Sequence, residues 1–116
     1  MKVVVTGAAG FIGSSVTDAL LARGEEVVGL DNLSTGTLDN LSRSIHNDGF
    51  RFFRMDIRQL SSLRKLMRVQ NIRAVFHEAA MASVPQSFRN PQETNEVNVS
   101  GTINVLMASK SAEVER

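Results

Sequence analysis

Three glycines near the start of the chain, Gly7, Gly10 and Gly13, form the pattern G-x-x-G-x-x-G. They follow the β-branched run Val3–Val5, and apolar residues at helical spacing begin at Ile12. A short run that is apolar on both faces is typical of a strand buried on both sides of a parallel sheet. The pattern therefore predicts a strand, a tight turn and a helix, which form the first half of a parallel βαβ unit.

The rest of the chain continues to alternate predicted strands and helices. Apolar runs predict three further strands at Val27–Leu30, Phe50–Met55 and Ala74–His77. Helical spacing predicts helices from Ile12 to a stop at Gly24, within Leu38–Ile45, from Gln59 to Gln70 and from Gln92 to Ala112. The predicted apolar faces are Ile12, Val16, Ala19 and Leu20 in the first helix and Val99, Ile103 and Leu106 in the last. This alternation predicts an α/β fold with a parallel sheet and right-handed crossovers.

The glycine pattern has a specific chemical use at the start of such a unit. Gly7 allows the tight turn, Gly10 lets the backbone approach a pyrophosphate, and Gly13 lets the helix pack closely on the strand. The free N–H groups and the positive dipole end of the helix then face the phosphates. The alternative is an ordinary strand-to-helix turn, but such a turn does not need three glycines at this spacing. The loop therefore predicts a dinucleotide-binding site.

A carboxylate follows the second predicted strand, at Asp31. In this kind of unit an acidic residue at that place accepts hydrogen bonds from the ribose hydroxyls of the adenosine half. The same charge repels a 2′-phosphate, so NAD is favoured over NADP as the cofactor. The alternative is a solvated aspartate at the end of a strand, which the nearby glycine pattern makes the weaker interpretation.

Composition excludes several other classes of protein. The chain has 116 residues with 13 basic and 12 acidic side chains, and this near-balance predicts no nucleic-acid and no membrane partner. It contains no cysteine, which excludes disulfides and thiolate metal sites. No stretch is apolar enough for a membrane span, and the start does not match a signal peptide, so we expect a cytoplasmic location.

Two further features have plain structural interpretations. Basic residues are frequent between Arg51 and Arg73, but Arg64, Lys65 and Arg68 lie opposite the apolar face of one predicted helix. That arrangement is typical of a solvated amphipathic helix rather than of a nucleic-acid surface. The histidines, His46 and His77, have no further ligands converging on them, so no metal site is predicted.

Several motifs occur together in an order that resembles a known family. After the glycine loop come D-N-L-S-T-G at Asp31–Gly36, Asp56-Ile57, H-E-A-A-M-A-S-V-P at His77–Pro85, and N-V-S-G-T at Asn98–Thr102. The whole chain resembles the N-terminal part of the extended short-chain dehydrogenase/reductase superfamily, and within it the nucleotide-sugar epimerases of the UDP-glucose 4-epimerase type. The resemblance implies a Rossmann-like sheet of strand order 3-2-1-4 with helices on both faces.

The resemblance also implies roles for individual residues along a bound NAD. Phe11 and Ile12 would lie along the pyrophosphate and ribose, the Asp56 side chain would contact the adenine amino group, and Asn98 would face the cofactor. The expected cofactor-binding residues are Gly7, Gly10, Phe11, Ile12, Gly13, Asp31, Asn32, Leu33, Ser34, Thr35, Gly36, Asp56, Ile57, Ala79, Ala80, Met81 and Asn98, with Ser83 on the substrate side.

The family's acid–base residues are a Tyr-x-x-x-Lys pair on and after a fifth strand, and this chain contains no tyrosine. We therefore expect residues 1–116 to be an NAD-binding portion, truncated before the fifth strand, that is catalytically incomplete alone. No catalytic residue is assigned. A nucleotide sugar would bind only if the missing C-terminal part were supplied.

Other interpretations stay open at this point. The chain could be a stand-alone dinucleotide-binding or assembly module without catalysis, or part of a sugar-nucleotide dehydratase or decarboxylase. A chain that ends here would leave strand 74–77 as an unprotected edge, and exposed edges invite pairing with another chain. We therefore expect a homodimer or another association through this edge.

Overall fold

A computed structural model describes all of residues 1–116, and it contains one four-stranded sheet. The strands are β1 (Lys2–Thr6), β2 (Glu26–Asp31), β3 (Phe50–Arg54) and β4 (Ala74–His77). All three pairings are parallel, and the order β3-β2-β1-β4 confirms the expected order 3-2-1-4. The order reverses between β1 and β4, so the carboxyl edge of the sheet has a switch point there, where ligands bind in open α/β folds.

Helices cover both faces of this sheet, as predicted. They are α1 (Phe11–Ala22), α2 (Leu60–Val69), α3 (Val84–Arg89), α4 (Pro91–Asn95) and α5 (Gly101–Ser111), with a 3₁₀ turn at Leu38–Leu41 and a π-helical turn at Glu96–Ser100 between α4 and α5. On one face, Val4 and Leu30 pack in a cluster with Leu63 of α2 and Val105 of α5. The other face carries a smaller cluster beside α1 that contains Val5. None of these helices is long and apolar enough to cross a membrane.

The buried face of α1 matches the predicted one only in part. Gly13, Ser14 and Thr17 are buried, whereas Ile12 is 61% exposed and Ala19 is also exposed. Only small side chains fit here, because α1 lies directly against the turn that precedes it. Val16 and Leu20 of the predicted stripe pack against the cluster that contains Val5, but the closest approach is made by the small residues.

The predicted inner stripe of the last helix is also wrong. Val99 and Ile103 are each 50% exposed and Leu106 is 64% exposed. The π-helical turn and α5 instead bury Val97, Gly101, Val105 and Ala108. Both faces of this helix are apolar, so periodicity alone could not decide which one packs on α2. The buried side includes two small residues: Gly101 lies against Ile57, where a Cβ would come within 2.5 Å of its Cδ1, and Ala108 packs in the cluster that contains Leu63 of α2.

The outer edge of β4 is partly covered, which corrects the expectation of a wholly unprotected edge. The N–H of Glu115 donates to the carbonyl of Arg73 at 3.0 Å, and the N–H of Val75 donates to the carbonyl of Arg116 at 2.9 Å. The last residues of the chain therefore lie along the first half of β4. Phe76, in the second half, is 41% exposed.

Candidate functional site

One cleft opens at the carboxyl edge of the sheet, where the loops after β1, β2, β3 and β4 meet. It is lined by Gly7, Gly10, Leu30, Asp31, Asn32, Ser34, Thr35, Gly36, Met55, Asp56, Ile57, Arg58, Glu78, Ala79, Ala80, Met81, Glu93 and Val97. The structure thus brings together most of the residues expected from the sequence. Phe11, Ile12, Gly13, Leu33, Ser83 and Asn98 lie outside this lining.

The turn between β1 and α1 is too tight for any residue with a β-carbon at two of its glycines. Gly7 has a φ of +67°, and a Cβ there would lie 2.8 Å from the backbone N of Ala79. A Cβ on Gly13 would lie 2.0 Å from the carbonyl oxygen of Gly7. Gly10 is less constrained, with a Cβ position 3.3 Å from the same oxygen. The glycines therefore let the turn pack against both its own helix and the loop after β4.

The N-terminus of α1 presents free backbone donors beside the cleft. The first helical bond runs from Ser14 N to the carbonyl of Gly10, at 3.0 Å, and the N–H groups of Phe11, Ile12 and Gly13 have no protein acceptor. The Phe11 side chain is 86% exposed and leaves these groups open. Free N–H groups at the positive end of a helix are suited to bind phosphate oxygens.

The carboxylate of Asp31 connects two of the loops that form the cleft. Its Oδ2 accepts from the N–H of Ala9 at 3.0 Å, and its Oδ1 accepts from the N–H of Leu33 at 2.8 Å. Leu33 has a φ of 62°, a conformation that costs a residue with a β-carbon about 1–2 kcal/mol. The bond to Asp31 helps to hold this backbone. Asp31 is thus buried at the junction of the glycine turn and the loop after β2.

The loop after β2 folds back onto the glycine turn. The N–H of Thr37 and the side-chain amide of Asn40 both donate to the carbonyl of Ala9, at 3.0 and 2.8 Å. A Cβ on Gly36 would lie 2.9 Å from that same carbonyl oxygen. These contacts hold Ser34 and Thr35 at the rim of the cleft, where their side chains are exposed.

The far side of the cleft holds a paired carboxylate, Asp56. Arg58 donates to it through its backbone N, Nε and Nη2, at 2.9, 3.0 and 2.7 Å. Asn32 Nδ2 donates to the same carboxylate at 3.0 Å. The Arg58 guanidinium beside Asp56 holds the pKa of that carboxyl well below its usual range. Sequence reasoning missed Arg58, although its position two residues after Asp56 is a signal for this local pair.

The end of β1 is tied to the loop after β4 by the hydroxyl of Thr6. Its oxygen accepts from the N–H groups of Glu78 and Ala79, each at 3.1 Å. A hydroxyl has two acceptor sites and one proton. With both acceptor sites used, the Thr6 proton donates to Nδ1 of His77 at 2.7 Å. The second histidine nitrogen, Nε2, therefore carries the ring proton.

The same chain of hydrogen bonds continues into α5. His77 Nε2 donates to the hydroxyl of Thr102 at 2.9 Å, and that hydroxyl donates to the carbonyl of Asn98 at 2.7 Å. The ring is neutral in this arrangement. Burial lowers the pKa of His77, while the nearby charge of Glu78 acts in the opposite direction. His77 is thus a structural link between two strands and a helix, as the sequence interpretation favoured.

Asn98 holds the loop after β4 rather than lining the cleft. Its Oδ1 accepts from the N–H of Met81 at 2.7 Å, and its Nδ2 donates to the carbonyl of Met81 at 2.9 Å. The expectation that Asn98 faces the cofactor stays a prediction, and in this structure its amide is engaged by Met81. Ser83 caps α3, with its hydroxyl accepting from the N–H of Gln86 at 3.3 Å.

The free energy of unfolding is expected to decrease as the pH falls below about 6.5, the ordinary pKa of histidine. His77 has a lowered pKa in the folded chain, so the unfolded chain takes up the proton first. The decrease in the free energy of unfolding begins near the ordinary pKa of histidine and stops growing below the pKa of His77 in the folded chain. Urea unfolding at a series of pH values measures it.

The two histidines offer a matched comparison for this pH dependence. His77→Gln is expected to flatten the slope between pH 7 and 5, whereas substitution of the exposed His46, His46→Gln, should leave it unchanged. An unchanged slope in His77→Gln would contradict the assignment of a neutral, half-buried His77.

Comparisons with known proteins agree with this geometry. The family described as GDP-mannose 4,6 dehydratase matches residues 4–116. A UDP-glucose 4-epimerase from Mycolicibacterium smegmatis is 42% identical over 116 residues, which is all of this chain and 37% of that protein. A UDP-glucuronic acid decarboxylase from Arabidopsis thaliana is 36% identical over 110 residues, covering 95% of this chain and 24% of the relative.

Solved structures show the same relationship. A UDP-glucose 4-epimerase from Thermus thermophilus, in complex with NAD, is 43% identical with a TM-score of 0.88, covering 98% of this chain and 35% of that one. A dTDP-glucose 4,6-dehydratase from Streptomyces venezuelae, with NAD bound, is 35% identical with a TM-score of 0.93. The match covers 100% of this chain and 38% of the dehydratase chain.

The chain spans about a third of the length of the first curated relatives it matches. The match to the family extends through nearly every residue of the sheet and the cleft. These comparisons confirm the resemblance that the motifs indicated. The chain therefore belongs to the GDP-mannose 4,6 dehydratase family, and it corresponds to the N-terminal part of UDP-glucose 4-epimerase-like proteins.

Proposed function

We propose that residues 1–116 form the NAD-binding portion of a nucleotide-sugar epimerase. The observation that carries the proposal is that Asp31 lines the cleft while the free N–H groups at the start of α1 lie beside it. The first suits a ribose and the second suits a pyrophosphate. Solved relatives with NAD support the same assignment.

The carboxylate of Asp31 has the capacity for two ribose hydroxyls. A carboxylate offers about four acceptor sites. Ala9 and Leu33 use one site on each oxygen, which leaves one on each for a ligand. The neighbouring glycines keep the approach open, since a side chain at Gly36 would press on Asp31, with its Cβ 3.0 Å from Oδ2. The residues present therefore fit the adenosine ribose of NAD.

NAD supplies a hydride acceptor when it is bound, and this chain binds and orients it. Ala79, Ala80 and Met81 lie in the cleft beside the glycine turn, on the opposite side of β1 from Asp56. We assign them to the half of the dinucleotide that carries nicotinamide. The chain has no tyrosine, so the proton transfer of the parent reaction belongs to residues outside this sequence.

The chain is expected to bind NAD more than about tenfold more tightly than NADP, because Asp31 repels a 2′-phosphate in a partly desolvated site. Calorimetric titration of the purified chain with each dinucleotide measures the two dissociation constants. Equal affinities would contradict the role given to Asp31, and no binding of either at millimolar concentration would contradict the proposed function.

The parent activity is tested by supplying the rest of the protein. We propose that epimerisation of a UDP-sugar requires this portion together with a C-terminal portion that carries the tyrosine and lysine. Mixing or co-expressing the two is expected to restore interconversion of UDP-glucose and UDP-galactose. A stand-alone binding module would bind NAD but gain no activity from any C-terminal portion.

We also propose a cytoplasmic location and a homodimeric association. The exposed apolar side chains of Val99, Ile103 and Leu106 and the open half of β4 favour self-association. Sedimentation at several concentrations is expected to show a dimer, and a monomer at all concentrations would contradict it.

A further inference from the structure

Asn40 contacts the glycine turn from outside the cleft, and the role inferred for it rests on the function proposed above. Its side-chain amide donates to the carbonyl of Ala9 at 2.8 Å, and the N–H of Thr37 donates to the same oxygen at 3.0 Å. A carbonyl oxygen has two lone pairs, so these two donors use both. Asn40 does not line the cleft, so any effect that it has on a ligand there passes through Ala9.

The segment that carries Asn40 is firmly placed against the glycine turn. Leu41 is fully buried and packs in the cluster that contains Ala8 and Ala9. The 3₁₀ turn that ends at Leu41 is capped by the hydroxyl of Thr37, which accepts from the N–H of Asp39 at 3.3 Å. The amide of Asn40 is therefore held at the carbonyl of Ala9 by the packing of its own turn.

The carbonyl of Ala9 belongs to the peptide unit that leads into Gly10. This unit is planar and trans, so the direction of the carbonyl sets the opposite direction of the Gly10 N–H. That N–H donates to the carbonyl of Gly7 at 3.0 Å, which closes the turn directly before the free N–H groups of α1. The two donors on Ala9 therefore fix the turn from its outer side.

The same peptide unit can turn over, because Gly10 has no β-carbon. Gly10 has a φ of −81°, and reversal of the unit would bring this angle to a positive value that glycine adopts readily. The carbonyls of Ala9 and Gly7 would then face each other and repel, so the turn would open. The N–H groups of Phe11 and Ile12, which follow Gly10 directly, would be displaced with it.

We propose that Asn40 is a positioning residue for the pyrophosphate of the dinucleotide. Its hydrogen bond keeps the Ala9–Gly10 peptide in the orientation in which the N–H groups at the start of α1 are placed for phosphate oxygens. The ribose side of the cleft does not need this clamp. The N–H of Ala9, which donates to Asp31, belongs to the preceding peptide unit.

ADP and adenosine are the probes, since they share the base and the ribose and only ADP carries a pyrophosphate. Amide chemical-shift titrations of the ¹⁵N-labelled chain measure both affinities and their ratio. Asn40→Ala is expected to lower the preference for ADP over adenosine about fivefold, which corresponds to one lost hydrogen bond. Asn40→Leu is expected to lower it further, because leucine also excludes the water that can donate to Ala9 in the alanine variant.

Ser42→Ala is the matched control for both variants. Ser42 is exposed, directly follows the same 3₁₀ turn and lies outside the cleft lining, so its substitution should leave the ratio unchanged. All three substitutions replace a neutral side chain with a neutral one, so no change of charge affects ADP. A purely structural role of Asn40 would weaken ADP and adenosine together, and the ratio therefore separates positioning from loosening of the loop.

Spectra of the chain without ligand give a second readout. In both Asn40 variants the amide signals of Gly10 and Phe11 are expected to broaden or to double, because two orientations of the peptide become populated. The inference is overturned if these signals stay single and sharp, or if both variants keep the ratio within about twofold of the unmodified chain. Absence of binding of NAD and ADP by the unmodified chain would instead contradict the proposed function, and the ligand-free signals would still test the role of Asn40.

Discussion

Gly13→Ala is expected to lower the free energy of unfolding by about 3 kcal/mol and to abolish binding of NAD. The new Cβ would lie 2.0 Å from the carbonyl oxygen of Gly7 and 3.0 Å from Cα of Ala8. These are backbone atoms, so no side-chain rotation relieves the overlap. Either α1 moves away from β1 or the turn opens, and both changes displace the free N–H groups beside the cleft. Urea unfolding and calorimetry measure the two effects.

Substitutions at two other glycines serve as controls for Gly13→Ala. A Cβ on Gly10 would lie 3.3 Å from the carbonyl of Gly7, so Gly10→Ala should be the milder change in the turn. Gly49 lies outside the turn, and a Cβ there would lie 3.3 Å from Oδ1 of the flexible Asn47 side chain. Gly49→Ala is therefore expected to change the free energy of unfolding by less than about 1 kcal/mol. If Gly13→Ala were as stable as Gly49→Ala, the close packing of α1 on its turn would be refuted.

Asp31→Asn is expected to remove most of the discrimination between NAD and NADP. The charge that repels the 2′-phosphate is lost, and NAD itself should bind about tenfold more weakly because a charged acceptor for the ribose is removed. The asparagine side chain has an NH₂ group in place of one carboxylate oxygen, so this donor would face the N–H of either Ala9 or Leu33, each of which needs an acceptor. We therefore expect a lower free energy of unfolding as well, by about 1–3 kcal/mol.

The ratio of NAD to NADP affinity separates recognition from loosening of the loops. A loosened cleft weakens both dinucleotides together, whereas loss of the Asp31 charge changes their ratio. Asp39→Asn is the matched control, since Asp39 is an exposed aspartate that does not line the cleft. An unchanged ratio in Asp31→Asn would place the selectivity for NAD elsewhere.

The topology and the position of the cleft could be predicted from the sequence. The valine run, the glycine turn and Asp31 are local signals, and parallel pairing brings the ends of the strands to one edge without further information. The loops after β1, β2 and β4 meet there in the structure, as expected. A motif of this kind specifies the path of the backbone, and the structure follows the predicted path.

Helix faces were harder to predict than helix positions. In α1 the fully buried residues are Gly13, Ser14 and Thr17, which have little hydrophobicity to detect, while Val16 and Leu20 of the predicted stripe are only partly buried. In α5 both sides are apolar, and the buried side includes the small residues Gly101 and Ala108. Pattern rules weigh hydrophobicity, so they do not detect a face that packs through small residues.

Side-chain networks could not be predicted, because they depend on atoms far apart in sequence. The bond from Thr6 to His77 joins residues 71 positions apart. The hydrogen bonds that Arg58 and Asn32 donate to Asp56 depend on the orientation of each donor. The contact of Asn98 with Met81 was missed for the same reason, although the position of its helix was foreseen.

The most direct test of the central claim is to add NAD to the ¹⁵N-labelled chain and map the amide chemical shifts. The largest changes are expected at residues 10–13 and 31–36, with smaller ones at 56–58 and 79–81. The exposed residues Lys65 and Arg68 of α2 should not respond. Absence of shifts at millimolar NAD, or shifts confined to residues outside the cleft, would contradict the assignment of this cleft as an NAD site.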